Sequence, residues 1–300
     1  MSLLDKIVSH SLPIVPKAVV RVFARPYIAG ETLADQIREV RAVNEAGYMA
    51  ASGILGEFVT RKEESAEAVE SYIDVLNTIQ EVGLDSNIHV KPTHLGLKID
   101  WSFCLDNIRR LADHAGDQGN FVRIDMEDSP TVDDTLKLYF SLREQGYDNV
   151  GLVIQACLRR SIADIQRLKD VKANVRLCKG IYVEPHDIAY RDRSIVQENY
   201  AYLLDELLSG GCYVGIATHD ERLIWEATRI VRRLGLTTHQ YEFQMLHGVM
   251  AQLRRIVIGD GHRLRVAVPF GPSWYPYSVR RLRKNPAIAG YVLKAMFSRG

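Results

Sequence analysis

Two adjacent arginines near the end of the chain have the residue type and spacing to bind an anion. Arg280 and Arg281 follow a tyrosine-rich segment, and Tyr277 precedes them by three and four residues. If this segment is helical, the three side chains share one face. A guanidinium pair matches a planar carboxylate, and a tyrosine ring would cover the apolar part of the same small ligand. A solvated helix face is the alternative, and spacing alone leaves both interpretations open.

Other polar residues recur where short apolar runs of the sequence end. They are Lys91, Asp125, Glu127, Gln155, Arg176, Lys179, Thr218, His219, Asp220, Glu242 and Gln244. Polar side chains on the inward positions of strands are costly unless a ligand or a hydrogen-bond network satisfies them. The set therefore predicts a site that binds something large and polar.

The cations of this set, taken with the arginine pair, outnumber the carboxylates of Asp125 and Glu127. A positive site suits a phosphate or carboxylate ligand. A second interpretation is a Schiff-base lyase, in which Lys91 or Lys179 is the nucleophile, because buried lysines at strand ends can attack carbonyl groups.

Purely structural roles are open for several of the same residues. Lys91 can be a barrel-lining lysine paired to Asp125, and Arg176 can be an ion-pair partner of Asp125 or Glu127. His219 and His247 can be core histidines with no ligand. Each of these roles would need no bound molecule.

Composition and motifs exclude several classes of function. The chain has 38 basic and 37 acidic residues, so it has no net field to attract nucleic acid. No GxGxxG or Walker loop is present, which argues against a Rossmann nucleotide site, and no HExxH motif or other metal-spaced pattern indicates a metal. The four scattered cysteines are typical of free thiols in a reducing compartment.

Short β-branched runs alternate with longer helical patterns along the chain. The predicted strands are Gly47–Gly56, Asn87–Lys91, Phe121–Glu127, Val150–Ala156, Asn174–Gly180, Cys212–His219, Tyr241–Leu246 and Arg263–Phe270. Eight such units in about 250 residues predict a (β/α)8 barrel of the TIM type, with an open doubly wound α/β sheet as the alternative. In a barrel the polar strand ends gather at one face.

One helix is predicted in detail. Apolar residues recur at helical intervals over Thr131–Glu144, and Ser129 with Pro130 forms an expected N-cap and first-turn pair.

The first 40 residues are interpreted as a helical addition to the barrel, which takes up residues 41–300 as part of a single domain. Pro13 and Pro16 interrupt the apolar N-terminal stretch, so it has no run of about 18 apolar residues that could span a membrane. A packing helix or an amphipathic surface for a membrane or a partner are both open. The chain is expected to be cytoplasmic or peripheral to the inner face of the membrane.

Five segments in register resemble the proline dehydrogenase family. They are RIDMEDSP (Arg123–Pro130), VRLCKGIYVEP (Val175–Pro185), IATHD (Ile216–Asp220), YEFQMLHGV (Tyr241–Val249) and VPFGPSWYPYSVRRL (Val268–Leu282). The matching segments occur in the same order as in the family, from about residue 25 to the end. The resemblance does not include the extra domains of the bifunctional relatives.

The resemblance implies a distorted (β/α)8 barrel of the monofunctional bacterial type that holds FAD without a covalent bond. Such enzymes move a hydride from C5 of proline to N5 of the flavin and form Δ1-pyrroline-5-carboxylate. The electrons pass to a membrane quinone. The product would go to a pyrroline-5-carboxylate dehydrogenase.

The resemblance also implies roles for single residues. Arg280 and Arg281 would grip the substrate carboxylate with Lys91, and Asp125 would hold Lys91 or the substrate side of the pocket in position. Arg176 would lie near N5 of the flavin. Tyr182, Leu246 and Tyr277 would enclose the substrate ring. The residues implied to line FAD are Met126, Gln155, Lys179, Gly180, Thr218, His219, Asp220 and Gln244.

Three positions depart from the family pattern. Ala267 stands where a tyrosine is usual, Lys284 where a glutamate pairs with the first arginine, and Ile181 where an alanine is usual. Relatives that oxidise hydroxyproline have a small residue at the tyrosine position, so 4-hydroxyproline or another substituted proline is an alternative substrate. Ile181 would add volume on the flavin side. A member that binds FAD without turnover is a further alternative.

Overall fold

The computed structural model describes residues 20–21, 27–275 and 277–279, and within them eight strands alternate with eight helices. The strands are β1 (Met49–Ile54), β2 (Ser86–Val90), β3 (Val122–Ile124), β4 (Val150–Gln155), β5 (Asn174–Cys178), β6 (Tyr213–Ala217), β7 (Tyr241–Leu246) and β8 (Leu264–Phe270). The helices are α1 (Leu33–Glu45), α2 (Lys62–Glu81), α3 (Trp101–Asp117), α4 (Val132–Glu144), α5 (Ser161–Asp170), α6 (Arg193–Ser209), α7 (Glu221–Arg233) and α8 (Ala251–Gly259).

The strands form one closed parallel barrel in the order β1 to β8. Closure is made by β1 and β8, whose register runs from Met49 opposite Arg265 to Ile54 opposite Phe270. The predicted (β/α)8 barrel is therefore confirmed, and the open-sheet alternative is excluded because no strand of the barrel is left at an edge.

Alternation along each strand separates two environments. In β2, Ile88 and Val90 are fully buried against the surrounding helices, whereas His89 between them faces the barrel axis. In β5, Val175 and Leu177 are buried in the same way and Arg176 faces inward. Because side chains alternate across a strand, the apolar set builds the outer core and the polar set is directed into the barrel.

Helix caps fix where several helices begin on the side of the strand ends. Thr32 and Asp35 form a capping box on α1, and the Asp100 carboxylate accepts a hydrogen bond from the Phe103 backbone N–H at the start of α3. Asp192 caps α6 in the same manner. These side chains satisfy N–H groups that lack a partner within the helix.

The predicted N-cap of α4 is wrong. Ser129 and Pro130 lie in a short 3-10 turn (Ser129–Thr131), and α4 begins only at Val132. The backbone N–H and the hydroxyl of Ser129 instead donate hydrogen bonds of 2.8 and 2.6 Å to Glu184. Ser129 therefore binds the carboxylate of Glu184, which is distant in sequence, and does not cap a helix as the local sequence predicted.

Predicted strand ends differ most at β3, which stops at Ile124 rather than at Glu127. The backbone N–H of Asp125 still donates to Val90, at 2.9 Å, before the chain leaves the ladder. Helix α1 crosses the expected domain limit at residue 40, and that limit stays a prediction.

All four cysteines are free thiols, and three of them are buried. No helix in the described part of the chain is both long and apolar enough to cross a lipid bilayer.

Candidate active site

The Asp125 carboxylate lies at the centre of a polar group inside the barrel mouth. His89 Nδ1 is 2.9 Å from Oδ2, and Arg176 Nη1 donates to Oδ1 at 2.8 Å. Burial alone would raise the pKa of Asp125, but His89 and Arg176 lower it to about 2. The carboxylate therefore stays ionised and holds Arg176 by a charged hydrogen bond.

Arg176 connects this carboxylate to the opposite side of the barrel. Its Nε donates to Gln244 Oε1 at 2.5 Å, and Gln244 Nε2 donates to Glu242 Oε1 at 2.6 Å. Glu242 in turn accepts from Arg265 Nε at 2.8 Å. A continuous chain of polar contacts thus crosses the interior from β2 to β8 and leaves the Arg176 guanidinium fixed on two sides.

Lys91, immediately after β2, forms its ion pair with Glu57 at 2.7 Å rather than with Asp125. Both side chains are mostly buried, with 21% and 17% of their surface exposed. Glu57 follows the end of β1, the strand next to β2, so the two residues lie side by side at the rim of the barrel. The expected support of Lys91 by Asp125 is not a direct contact, because His89 and Arg176 take both oxygens of Asp125.

A second polar cluster lies at the ends of β5 and β6. Asp220 Oδ2 accepts from Lys179 Nζ at 2.9 Å, from Gln197 Nε2 at 2.7 Å and from Arg193 Nη2 at 3.2 Å. Burial opposes ionisation of this carboxyl group, yet the hydrogen bonds from Lys179 and Gln197 lower its pKa to about 2. Two cations thus share one carboxylate, and the cluster carries a net positive charge.

Thr218 belongs to this second cluster, because its hydroxyl accepts from the backbone N–H of Asp220 at 3.1 Å. His219 lies beside it, and its Nε2 accepts from the backbone N–H of Leu246 at 2.9 Å. These contacts bring the ends of β6 and β7 together as the sequence predicted.

Gly180 forms a close backbone approach between β4 and β5. Its φ is +99°, and a Cβ placed on it would lie 2.2 Å from Cys157 Sγ and 3.1 Å from Gln155 Oε1. Gln155 is held by a 2.8 Å hydrogen bond from its Nε2 to the Glu127 carbonyl. Only glycine fits this cradle, because both the conformation and the space exclude a side chain.

Two of the polar residues at the predicted strand ends are satisfied without any ligand. Glu127 is fully buried and accepts from the backbone N–H and the hydroxyl of Thr93, at 2.9 and 2.7 Å. Burial raises its pKa. Glu242 lies deeper in the barrel and is held by Arg265, Gln244 and Tyr213. Because both carboxylates are paired within the protein, they support the structure around the site and need no bound ligand.

Arg123 lies one inward position below Asp125 and has no carboxylate partner among the described residues. Its guanidinium donates to the carbonyls of Leu152 and Asn174 at 3.0 and 2.8 Å and to the side chain of Asn174 at 2.5 Å. Burial, with the nearby charge of Arg176, lowers its pKa to about 9. The floor of the site is therefore positive.

The remaining predicted site residues have different surroundings. Tyr182 and Tyr277 are half-buried, and Met126 is buried in the hydrophobic core. The Ile181 side chain is 62% exposed, so its extra volume projects into solvent. Arg280, Arg281 and Lys284 lie outside the described residues.

Ala267 faces the barrel axis, between Val266 and Val268 of the outer core. In the sheet register it stands opposite Ala51 on one side and Leu246 on the other. Two small side chains, Ala51 and Ala267, therefore lie next to Leu246, which belongs to the predicted substrate wall.

Sequence reasoning missed His89, Glu57 and Arg193. The signal for His89 was available, because it lies two positions before Lys91 in a predicted strand and thus shares its face. Glu57 follows the first predicted strand, which is also a position at the mouth. Arg193 gave no such signal, since it belongs to the start of α6.

Within the described ranges, no group of three or more His, Cys, Asp or Glu side chains is arranged to hold a metal ion.

A family model described as proline dehydrogenase matches residues 36–294 of the chain. The proline dehydrogenase of Deinococcus radiodurans is 34% identical over 91% of this chain and 89% of its own length. Proline dehydrogenase 2 of Bacillus subtilis is 34% identical over 92% of this chain and 91% of its own.

Among solved structures, proline utilization A (PutA) from Bdellovibrio bacteriovorus, inactivated by N-propargylglycine, superposes with a TM-score of 0.80 at 22% identity. The match covers 87% of this chain and 32% of that one, so the chain spans about a third of the longer protein. At this identity the similarity shows the same barrel fold.

Proposed function

Because the chain belongs to the proline dehydrogenase family, we propose that it oxidises L-proline to Δ1-pyrroline-5-carboxylate, with FAD as the hydride acceptor. The observation that carries the proposal is the placement of Arg176. Its guanidinium is fixed between Asp125 and Gln244 at the C-terminal end of the barrel, the face on which barrel enzymes hold their substrates.

The residues at the mouth fit a flavin dinucleotide. Gly180 packs closely against Cys157 and Gln155 at the ends of β5 and β4, and we expect this segment to form one wall of the flavin site. The cluster of Lys179, Arg193 and Asp220 supplies an excess of positive charge for a diphosphate. Thr218, His219 and Gln244 extend the same wall toward β7. When bound, FAD supplies the two-electron chemistry, which amino-acid side chains alone do not provide.

The residues of the chain orient the substrate and set the charge around it. Arg176, above the positive floor made by Arg123, favours negative charge on a group bound at the mouth. Lys91 is proposed to bind the substrate carboxylate together with Arg280 and Arg281, which lie outside the described residues. To do so, Lys91 must exchange Glu57 for the substrate.

Anaerobic titration tests the proposal. The purified protein is expected to be yellow, to lose its flavin absorbance on addition of L-proline, and to form a product two mass units lighter than proline. A colourless protein, or a flavin band that L-proline leaves unchanged, would contradict the proposal. Arg176→Gln should slow bleaching, because the guanidinium no longer stabilises negative charge, whereas Arg176→Lys keeps part of that charge.

A substituted proline is the second candidate substrate, and the inward position of Ala267 supports it. Ala267 directs only a methyl group into the barrel, between Ala51 and Leu246, at the position where the family usually has a tyrosine. We expect Ala267→Tyr to shift the ratio of kcat/KM toward L-proline over trans-4-hydroxy-L-proline by about tenfold or more, because one misplaced group in a pocket discriminates by that order. An unchanged ratio, or a many-fold preference of the unaltered enzyme for proline, would argue against this candidate.

The Schiff-base alternative has less support. Lys91 is ion-paired to Glu57 and Lys179 to Asp220, so a carbonyl substrate would have to break one of these pairs. Borohydride trapping of a covalent adduct separates the two chemistries.

We propose a quinone as the electron acceptor, a peripheral contact with the membrane that carries it, and a pyrroline-5-carboxylate dehydrogenase as the consumer of the product. Reoxidation of the reduced protein by a short-chain quinone should outpace reoxidation by dioxygen. Cosedimentation with quinone-loaded vesicles tests the membrane contact.

A further inference from the structure

His89 occupies a space that a glycine on the neighbouring strand provides. A Cβ placed on Gly53 of β1 would lie 2.2 Å from Nε2 and 2.3 Å from Cε1 of the His89 ring. Both distances are far below van der Waals contact. The imidazole therefore lies across β1, where any residue other than glycine would displace it.

The hydrogen bonds of His89 assign its ring proton. Nδ1 is 2.9 Å from Asp125 Oδ2, and an ionised carboxylate can only accept, so Nδ1 carries the hydrogen. Nε2 is buried and has no hydrogen-bond partner among the described residues. A proton on Nε2 would be buried without an acceptor, which costs more than a buried lone pair. Hydrogen on Nδ1 therefore fits this site.

This donor determines the direction of the Asp125 carboxylate. With one oxygen taken by His89, the other oxygen is directed at Arg176, 2.8 Å away. The side chain of Asp125 is only 18% exposed, so water cannot easily replace a lost donor. Loss of His89 would free the carboxylate to rotate toward Lys91 and away from Arg176.

We propose that His89 is a positioning residue that sets Arg176 through Asp125, and that Gly53 is present to accommodate it. The role in turnover rests on the proposed oxidation of proline, whereas the geometric role does not.

Two substitutions separate the hydrogen bond from the volume of the ring. His89→Asn keeps a nitrogen donor at the place of Nδ1, and His89→Leu fills the space without a donor. We expect His89→Leu to lower kcat/KM for L-proline by about 100-fold, the order that a small displacement near the reacting atoms produces. His89→Asn should stay within a few-fold of the unaltered enzyme. Equal losses in the two variants would overturn the proposal.

The reduction potential of the bound flavin gives a readout that a merely structural role would not move. His89→Leu should shift the potential in the same direction as Arg176→Gln, because both weaken the positive charge held at the mouth, whereas His89→Asn should leave it unchanged. A potential that is the same in all His89 variants would contradict the action through Arg176.

A double-mutant cycle tests the pairing with Gly53. Gly53→Ala should lower kcat/KM by about tenfold or more in the unaltered chain, since its Cβ displaces the ring, and by less than about twofold in a His89→Ser background. Additive losses would show that the two residues act independently.

A measurement without substrate keeps the inference separate from the proposed function. ¹⁵N NMR of the histidines, with the His89 signals identified by their absence in His89→Asn, should show hydrogen on Nδ1. If L-proline fails to bleach the flavin while this tautomer is observed, the proposed function fails and the placement of His89 stands. Hydrogen on Nε2 would overturn the placement itself.

Discussion

Asp125 illustrates how a buried carboxylate at the mouth of the barrel stays charged. Enclosure by itself would favour the neutral acid, but the donors from His89 and Arg176 hold its pKa near 2. The group is thus ionised at any pH at which the protein is expected to work. Its charge is a fixed part of the site, and Arg176 has a constant partner.

His94, in the turn after β2, gives the residue-scale prediction. Burial, together with the charge of Lys91, lowers its pKa to about 4 from an ordinary value of 6.5. Between pH 6.5 and about 4 the unfolded chain binds a proton that the folded protein does not, so stability falls as the solution is acidified through this window. We expect His94→Phe to reduce this acid-induced loss in the free energy of unfolding by about 3 kcal/mol. Urea unfolding between pH 6.5 and about 4 measures the free energy of unfolding of both proteins. The same dependence on pH in the two proteins would contradict the prediction.

The ion-pair partners at the residue scale could not be read from the sequence. Lys91 was assigned to the site from its place at a strand end, but its pairing with Glu57 depends on the path of the loop after β1. The assignment of Ser129 as a helix cap failed for a similar reason, since Glu184 arrives from a segment that is distant in sequence. Local spacing identifies which side chains reach the mouth, and tertiary contacts decide which of them meet.

The strands and helices, in contrast, followed from periodicity. Alternating apolar residues in β2 and β5 place one set of side chains in the outer core and the other in the barrel, so the strands and their inward faces were both predictable. Several strand ends differed by one or two residues, and the end of β3 differed most, because Asp125 and Glu127 lie beyond the ladder and bind Arg176 and Thr93.

The loop between β5 and α6 is tied to the loop after β3, and this gives the element-scale prediction. Glu184 is 8% exposed and receives two hydrogen bonds from Ser129. Glu184→Ala leaves a backbone N–H without its acceptor, at a cost of about 1 to 3 kcal/mol. We expect faster proteolytic cleavage within residues 181–192.

Ser129→Ala is the matched control for this substitution. It removes one of the two hydrogen bonds and keeps the backbone donor paired, so it should accelerate cleavage less than Glu184→Ala does. Equal cleavage of both variants and the unaltered protein would show that this contact does not hold the loop.

In the molecule as a whole, charged side chains fill the inside of the barrel, and an apolar core between the strands and the helices surrounds it. Glu242 accepts from Arg265, Gln244 and Tyr213 and so closes the floor beneath the site. Because the polar groups that bind Glu242 are removed from water, loss of its negative charge leaves Arg265 buried without a counter-charge.

Glu242→Gln is therefore expected to lower the free energy of unfolding by about 3 to 5 kcal/mol, the usual effect of breaking a buried ion pair. Glu226→Gln is the surface control, since Glu226 pairs with an arginine that is 55% exposed, and its cost should stay below about 1 kcal/mol. Urea unfolding at neutral pH compares them. Similar costs for the two variants would mean that the interior network adds little to stability.

The seam between β1 and β8 has a consequence for how the protein is made. Arg265 donates a hydrogen bond to the Ala50 carbonyl across 215 residues of sequence. At ordinary rates of translation, roughly 10 to 40 s separate the synthesis of these two strands. During that time β1 presents an unpaired, largely apolar edge that can pair with another chain. Until β8 has been synthesised, the nascent chain is therefore exposed to pairing with other chains along this edge.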